Sequence, residues 1–499
     1  MTTARKVLLV LGLILGVPLL ALAALVVAIS IDEAPPFDDD LRVARLDIPD
    51  DQNAFTYFQQ AIEKLDLPKD DEPAMDSPAP PPKVKPLPGE EPAPDAPPPT
   101  RNQRWADLRR GDVEWDQPIA DEVLRRNEAA LALWEKGVAA PQCQSQQSTY
   151  TIHNMFDFRY LDIEQLASVR SRDRARRGDH EGAFDDALRL VRFGRQVETG
   201  KGGMTDYLVG LTIRGMGESL MREQVKTCTL PSARLRHYAA ELARYPCVAQ
   251  GLADAYRVEY ACQVSTIEEV RSGDVSWADL NALLKALGPA GPKQGATGPT
   301  VCLFWRALGG PLFKPNRTRR LFAETMRMEV EDAPKSYKDA RAIDPDGRAF
   351  SLPKSVLRGN VIGDALYRML RPSLRGVHEL KCRTNFELAV TRTLLAMKAY
   401  KLDKGRLPET LEQLVPEYLD AVPIDDFDGK RLRYNAAKKI IYSVGKDLED
   451  NGGTTKQEFI DARLKERGFD PKDADPGQLR NIEDEYPWEA ADPAFAIEF

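Results

Sequence analysis

The chain has 499 residues, 29% of them charged and 42% apolar, with a formal net charge of −8. That length allows two or three domains and a sizeable core. The acidic balance argues against a general nucleic-acid binder, and the Arg-rich stretches 101–110 and 170–177 are interleaved with acids, as on solvated helix faces. In chain order, the first element is Val7 to Ile29, a run with no charged side chain. About 20 apolar residues in helical form cross a bilayer core, so this run predicts a transmembrane helix. Arg5 and Lys6 precede it, and Asp32, Glu33, Asp38, Asp39 and Asp40 follow it. This places the N-terminus in the cytoplasm and the bulk across the membrane. The competing reading is a cleaved signal peptide. Its A-x-A site, Ala21-Leu22-Ala23, lies inside the apolar run rather than after it, which favours an uncleaved anchor. The expected location is single-pass in the cytoplasmic (inner) membrane, with a periplasmic or otherwise extracytoplasmic bulk.

Residues 32–67 combine an acidic, irregular stretch with an amphipathic helix. Ala54, Phe55, Phe58, Ala61, Ile62 and Leu65 make one apolar face, and Asp51 or Asn53 is positioned to cap it. That dry face predicts docking onto the main body. Residues 68–100 contain thirteen prolines and no aromatic residue, so they read as a disordered, polyproline-like spacer. Residues 101–382 read as an irregular helical bundle. Pro118 opens a helix that continues through Val123, Leu131 and Trp134 to Gly137. Arg177-Gly178-Asp179 joins two further helices, with Ala183 and Ala187 small enough for close packing. This resembles one hairpin of a tetratricopeptide-type repeat, without a 34-residue period. A third long helix carries Leu208, Leu211, Ile213, Met216 and Leu220, and the Gly- and Pro-rich stretch 285–318 predicts a long loop. Helices resume near Thr318 and run, with breaks, to Tyr400. Residues 117–226 also resemble helical regions of uncharacterised bacterial envelope proteins, a likeness that implies no function.

Six cysteines (143, 228, 247, 262, 302 and 382) and four histidines are present, with no C-x-x-C pair. A zinc cluster is therefore disfavoured. In an oxidising compartment the even cysteine count allows up to three disulfides, and the spacing of Cys228 and Cys247 suits a local bridge.

From Thr384 to Gly453 the sequence reads helix, turn, short helix and small hairpin. The helix ends in Tyr400-Lys-Leu-Asp403-Lys-Gly405-Arg-Leu-Pro408. A turn, Asp425-Asp426-Phe427-Asp428-Gly429, and the strand wording Tyr442-Ser443-Val444-Gly445 follow. This order resembles the soluble domain of the major pseudopilin (G-type) of type II secretion systems, over about 70 residues. The resemblance implies a small α+β domain over 383–455, with 456–499 as a C-terminal helix and acidic tail. Pseudopilins carry a Glu just inside their apolar helix. The run 7–29 has none and lies far upstream, which argues against pilin-like polymerisation. The overall expectation is a mainly α fold: anchor, helical bundle and small C-terminal α+β domain.

The best site candidate is the stretch from Asp447 to Glu458. Asp447, Glu449 and Asn451 at positions 1, 3 and 5, Gly452 at 6 and Glu458 at 12 fit calcium-loop spacing. Position 3 is bulky for such a loop, and position 8 is Thr454 where an apolar residue is usual. A preceding strand rather than a helix means the loop is not an EF-hand. G-type pseudopilins bind calcium in the equivalent loop, so the resemblance also implies calcium; a plain acidic turn is the alternative. There is no G-x-S-x-G, H-E-x-x-H or Walker motif. His153, His180, His237 and His378 are isolated in sequence. Trp105, Trp115, Trp134, Trp277 and Trp305 line either a carbohydrate cleft or, by the simpler reading, the core. The expected function is a non-enzymatic, membrane-tethered interaction or scaffold protein with a protein partner in the envelope and no nucleic acid. The alternative is a glycan-directed envelope hydrolase, with its site in the helical domain near the 285–318 loop.

Overall fold

The computed structural model describes residues 31–68, 101–110, 115–145, 159–272, 313–340, 358–370, 374–469, 476–483 and 485–499. The apolar run 7–29, the Pro-rich stretch from 69 to 100 and most of the 285–318 loop lie outside them. Among the described residues no helix is long and apolar enough to cross a membrane. The fold is mainly helical with one small three-stranded sheet.

Helix α1 (Ala54–Glu63) is capped by Asn53, whose side chain accepts from the Phe55 amide. Its apolar face packs on α4 (Glu128–Ala139), where Phe58 is fully buried against Gly137. A Cβ at Gly137 would stand 2.5 Å from the Phe58 ring, so only glycine allows this approach. Phe58 and Trp134 both meet Phe193 edge-on, at centroid distances of 4.5 and 6.2 Å.

After α2 (Arg101–Arg110), the helix opened by Pro118 is shorter than its apolar pattern suggests. It ends as α3 (Gln117–Arg126), and α4 begins after Asn127. The fully buried Asn127 side chain explains the break. It donates to the Asp66 carbonyl at 3.0 Å and accepts from the Asp66 amide at 2.7 Å, tying the exit of α1 to the junction.

Helices α5 (Tyr160–Arg176), α6 (His180–Glu198) and α7 (Met204–Gln224) follow in succession. Gly178, at φ +84°, turns the α5–α6 connection, and Asp179 caps α6 through the Gly182 amide. The arginines of 170–177 are not a basic patch. Arg170 and Arg174 reach the fully buried Asp186 at 2.6 and 3.0 Å. Likewise Arg104 on α2 forks onto Asp116, the cap of α3.

Helix α8 (Ser232–Leu242) packs on α12 (Leu374–Lys404), and α9 (Ala249–Ser272) packs on α10 (Pro315–Asp332) beside α11 (Val361–Leu370). Two large cores result. The first joins α1 to α8, the Phe386–Tyr400 part of α12, and Leu432, Ile441 and Ile497 of the C-terminal unit. The second joins Leu41, Met204, Tyr207 and Cys247 to α9, α10, α11 and Val377 at the start of α12. The expected boundary at 382/383 therefore falls within one unbroken helix that feeds both cores.

The C-terminal unit contains β1 (Arg433–Asn435), β2 (Ile440–Tyr442), α13 (Lys456–Glu466), α14 (Pro476–Glu483) and β3 (Ala494–Ala496). Strands β1 and β2 form the expected hairpin, with Tyr434 opposite Ile441. The stretch 456–499 is more than a tail: β3 pairs antiparallel with β2, with Phe495 opposite Ile441.

The five described cysteines are unbridged. The local Cys228–Cys247 bridge is absent because the two residues belong to different cores: Cys228 lies in the first and Cys247 in the second. Cys302 lies outside the described residues.

Candidate functional site

The 447–458 loop leaves β2 through a single turn, Gly445–Asp447. The Asp447 carboxylate accepts from the Glu449 amide at 3.1 Å, an Asx turn within the loop. Glu449 is exposed. Asn451 contributes its backbone, donating to Asp492 at 2.7 Å. Glu458 is the N3 partner of a capping box: it accepts from the Thr455 amide and hydroxyl and pairs with Lys438 at 2.9 Å. Among the described residues no group of three or more His, Cys, Asp or Glu is gathered to hold a metal. In this arrangement the four residues named by the calcium-loop spacing have separate tasks rather than one shared centre. Glu458 serves the first turn of α13, and Asn451 serves Asp492.

Two residues missed in the sequence organise this loop. Asp492, fully buried just before β3, accepts from the Asn451 and Gly453 amides through one oxygen. Arg433 on β1 joins Asp450 at 2.9 Å, Asp428 at 2.6 Å and Asp425 at 3.2 Å. Asp492 lies 41 residues from Asn451, so no local spacing announces it. Glu458→Ala is expected to cost about 1 kcal/mol through the lost cap. Thermal melts with millimolar calcium or with chelator should show the same loss. A loss confined to the calcium-containing sample would support the metal reading.

The motif residues of the 384–453 stretch have structural tasks. Asp403 accepts from Ser232 at 2.6 Å and from Tyr418 at 3.1 Å, tying the end of α12 to α8. Asp425 is fully buried and accepts from the Phe427 and Val444 amides, closing the turn onto the end of β2. Asp426 receives Asn385 at 2.9 Å and Lys381 at 3.2 Å, clamping the turn onto α12.

His378 and Cys382, one helical turn apart on α12, are the described residues that most resemble a Cys–His pair. Both are buried. Burial pushes the Cys382 thiol up, with Asp426 adding to the effect. Burial, and then Lys381, lowers His378. Both shifts hold the pair neutral, the opposite of an activated thiolate. His180 and His237 sit apart on α6 and α8, and His153 lies outside the described residues. Trp105 and Trp134 are core residues, and Trp115 lies under Arg176 at 4.8 Å. The cavity lined by Phe55, Phe58, Cys143, Tyr160 and Asp206 holds about 10 Å³, room for one water molecule.

The strongest concentration of buried charge lies where α6 and α7 touch. A Cβ at Gly210 would stand 2.5 Å from the Glu198 amide and 2.7 Å from the Gly194 carbonyl, so the two backbones meet. This contact brings the Arg214 guanidinium to Glu198 at 3.3 Å and Glu218 at 3.2 Å, all three side chains at 0% exposure. Glu198 also accepts from Arg195 at 3.2 Å and from the Val248 amide at 3.1 Å, drawing in the segment before α9. Burial pushes Glu218 up to about 7, against the pull of Arg214 and Arg222. Two other glutamates, Glu164 and Glu259, are likewise pushed up to about 7 by burial. The Arg214 cluster is enclosed, so its chemistry is that of a lock between α6, α7 and the 245–249 segment. Its members were not singled out in the sequence, because charged residues on α6 and α7 look like any solvated face.

The chain from Asp32 to Asn53 forms a strap across the body. The Asp32 carboxylate accepts from the Asn316 amide at 2.8 Å, at the start of α10. Asp38, 7% exposed, forks onto Arg319 at 2.6 and 2.9 Å and receives the Tyr260 hydroxyl. Asp40 forks onto Arg327 at 2.7 and 2.8 Å. Leu46 exchanges hydrogen bonds with the Gln144 side chain, and the Asn53 side chain donates to the Gln144 carbonyl. Comparison with protein-family models, curated proteins and solved structures finds no match to this chain.

Proposed function

We propose that this chain is a membrane-tethered, extracytoplasmic interaction or scaffold protein, anchored by residues 7–29. Single-pass topology with a cytoplasmic N-terminus follows from the charge asymmetry around that run. The carrying observation is the strap. The segment that follows the apolar run is stitched to α10 from Asp32 onward, which leaves little free chain between that run and the body. The body is suited to presenting fixed surfaces, because α12 runs unbroken through both cores. The partner is a protein of the envelope; the net charge of −8 disfavours nucleic acid.

The test is membrane fractionation of the full chain with alkaline phosphatase fused after Phe499. The fusion is expected to remain in the pellet after alkaline carbonate washing and to be enzymatically active. Deleting residues 7–29 should move it to the soluble fraction. A full-length chain released by carbonate, or an inactive fusion, overturns the reading.

A further inference from the structure

The geometry points to a second membrane contact. We infer that the strap and the part of α10 from Asn316 to Arg327 form a face that lies on the phospholipid headgroup layer, holding the body flush against the bilayer in one orientation. This rests on the tether reading above.

The first argument is distance. As a free chain, 19 residues from 32 to 50 would let the body stand up to about 65 Å from the membrane. The strap removes that freedom. Asp32 is bound to the first turn of α10, and only three residue steps separate it from Ile29. Three steps span at most about 11 Å. The headgroup layer is itself roughly 5–8 Å thick on each side. The start of α10 is therefore held at the edge of that layer.

The second argument is charge. Read as free chain, the acidic run 32–40 would be repelled by anionic headgroups. In the folded strap each acid has a partner. Glu33 meets Arg320 at 3.1 Å, Asp39 meets Arg42 at 2.8 Å, and Asp38 and Asp40 meet Arg319 and Arg327. Four of the five acids of 32–40 are thus paired with arginines, and Asp32 accepts from the Asn316 amide.

The third argument is apolar exposure. Ile31, Phe37 and Leu46 are 65%, 75% and 58% exposed. Phe37 and Leu46 lie on the strap, Ile31 immediately precedes it, and Phe37 is the most exposed large apolar side chain among the described residues. Such side chains beside an anchor insert at the headgroup–acyl boundary.

The test uses the full chain in nanodiscs of phosphatidylcholine and phosphatidylglycerol. Nitroxides are placed by Phe37→Cys on the strap, Glu324→Cys on α10 and Glu409→Cys beyond the far end of α12. The unsubstituted chain gives the background from native thiols. Glu324 is exposed and lies between the two strap-bound arginines, Arg320 and Arg327. Glu409 follows a 31-residue helix about 45 Å long that starts in the second core. Collision with water-soluble nickel chelate is expected to be at least threefold lower at 37 and 324 than at 409. The double variant Asp38→Asn/Arg327→Gln should raise accessibility at 324 to the level at 409 while the chain still co-purifies with nanodiscs. If the chain stays in nanodiscs but 324 is as accessible as 409, the flush face is overturned and the tether stands. If protection at 324 survives the double variant, the strap is not what holds the face, and the inference also fails. A chain that does not enter nanodiscs overturns the tether and this inference together.

Discussion

Arg214→Met should destabilise the protein by about 3–5 kcal/mol, the cost of leaving buried carboxylates without their cation. Arg214 is the counter-charge to both Glu198 and Glu218, and none of the three side chains is exposed. Methionine replaces the aliphatic stem but not the guanidinium. The loss should be smaller at pH 5 than at pH 8. Glu218 is already held near 7 by burial and takes up a proton readily once its cation is gone. Adding Glu198→Gln and Glu218→Gln to Arg214→Met should recover part of the loss, because the uncompensated charge is then removed. Urea denaturation at the two pH values checks all three statements. A loss below about 1 kcal/mol, independent of pH, would mean that the cluster does not bear the charge assigned to it.

Glu259→Gln should stabilise the protein at pH 8, by an amount on the order of 3 kcal/mol, and leave it unchanged near pH 4. Glu259 lies on α9 under the start of α7, where it accepts from the Met204 amide at 3.4 Å. Burial pushes its carboxyl up to about 7, from 4.5 for an ordinary glutamate. The folded state therefore holds the proton more tightly than the unfolded chain does. Stability from this group is full below about 4.5 and declines as pH rises to about 7. Glutamine keeps the acceptor oxygen and never ionises, so the decline disappears. Glu164 and Glu218 titrate in the same sense, while the lowered His378 acts oppositely below its ordinary range. The difference between variant and parent isolates Glu259 from all of them. Parallel stability curves between pH 4 and 8 would refute the assignment.

Local elements were legible in the sequence wherever one face was apolar and one end was punctuated. Helix α1 follows from its 3-and-4 spacing and from Asn53, α3 from Pro118, and the α5–α6 turn from Gly178-Asp179. The β1–β2 hairpin was likewise visible. The break between α3 and α4 was not, because its cause is a hydrogen-bonding partner, Asp66, 61 residues away. The acidic loop shows the same limit from the other side. Its 1-3-5-6-12 spacing is a local pattern, but the direction of each side chain is set by distant partners. Capping of α13 and the reach of Asp492 decide which carboxylates turn where.

The sequence by itself determined the apolar run at 7–29, its flanking charge, the helical character of the body and the places where the chain turns. Those depend on nearest neighbours and on periodicity. Only the tertiary structure decided that the acidic segment after that run is a pinned strap, that β3 returns to complete the sheet, and that Arg214 is buried between two carboxylates. Each of these joins residues far apart in the chain, from 16 between Glu198 and Arg214 to 287 between Asp40 and Arg327. Charge looks the same in sequence whether it faces water or a partner. Packing of α6 on α7, and of the strap on α10, is what separates the two.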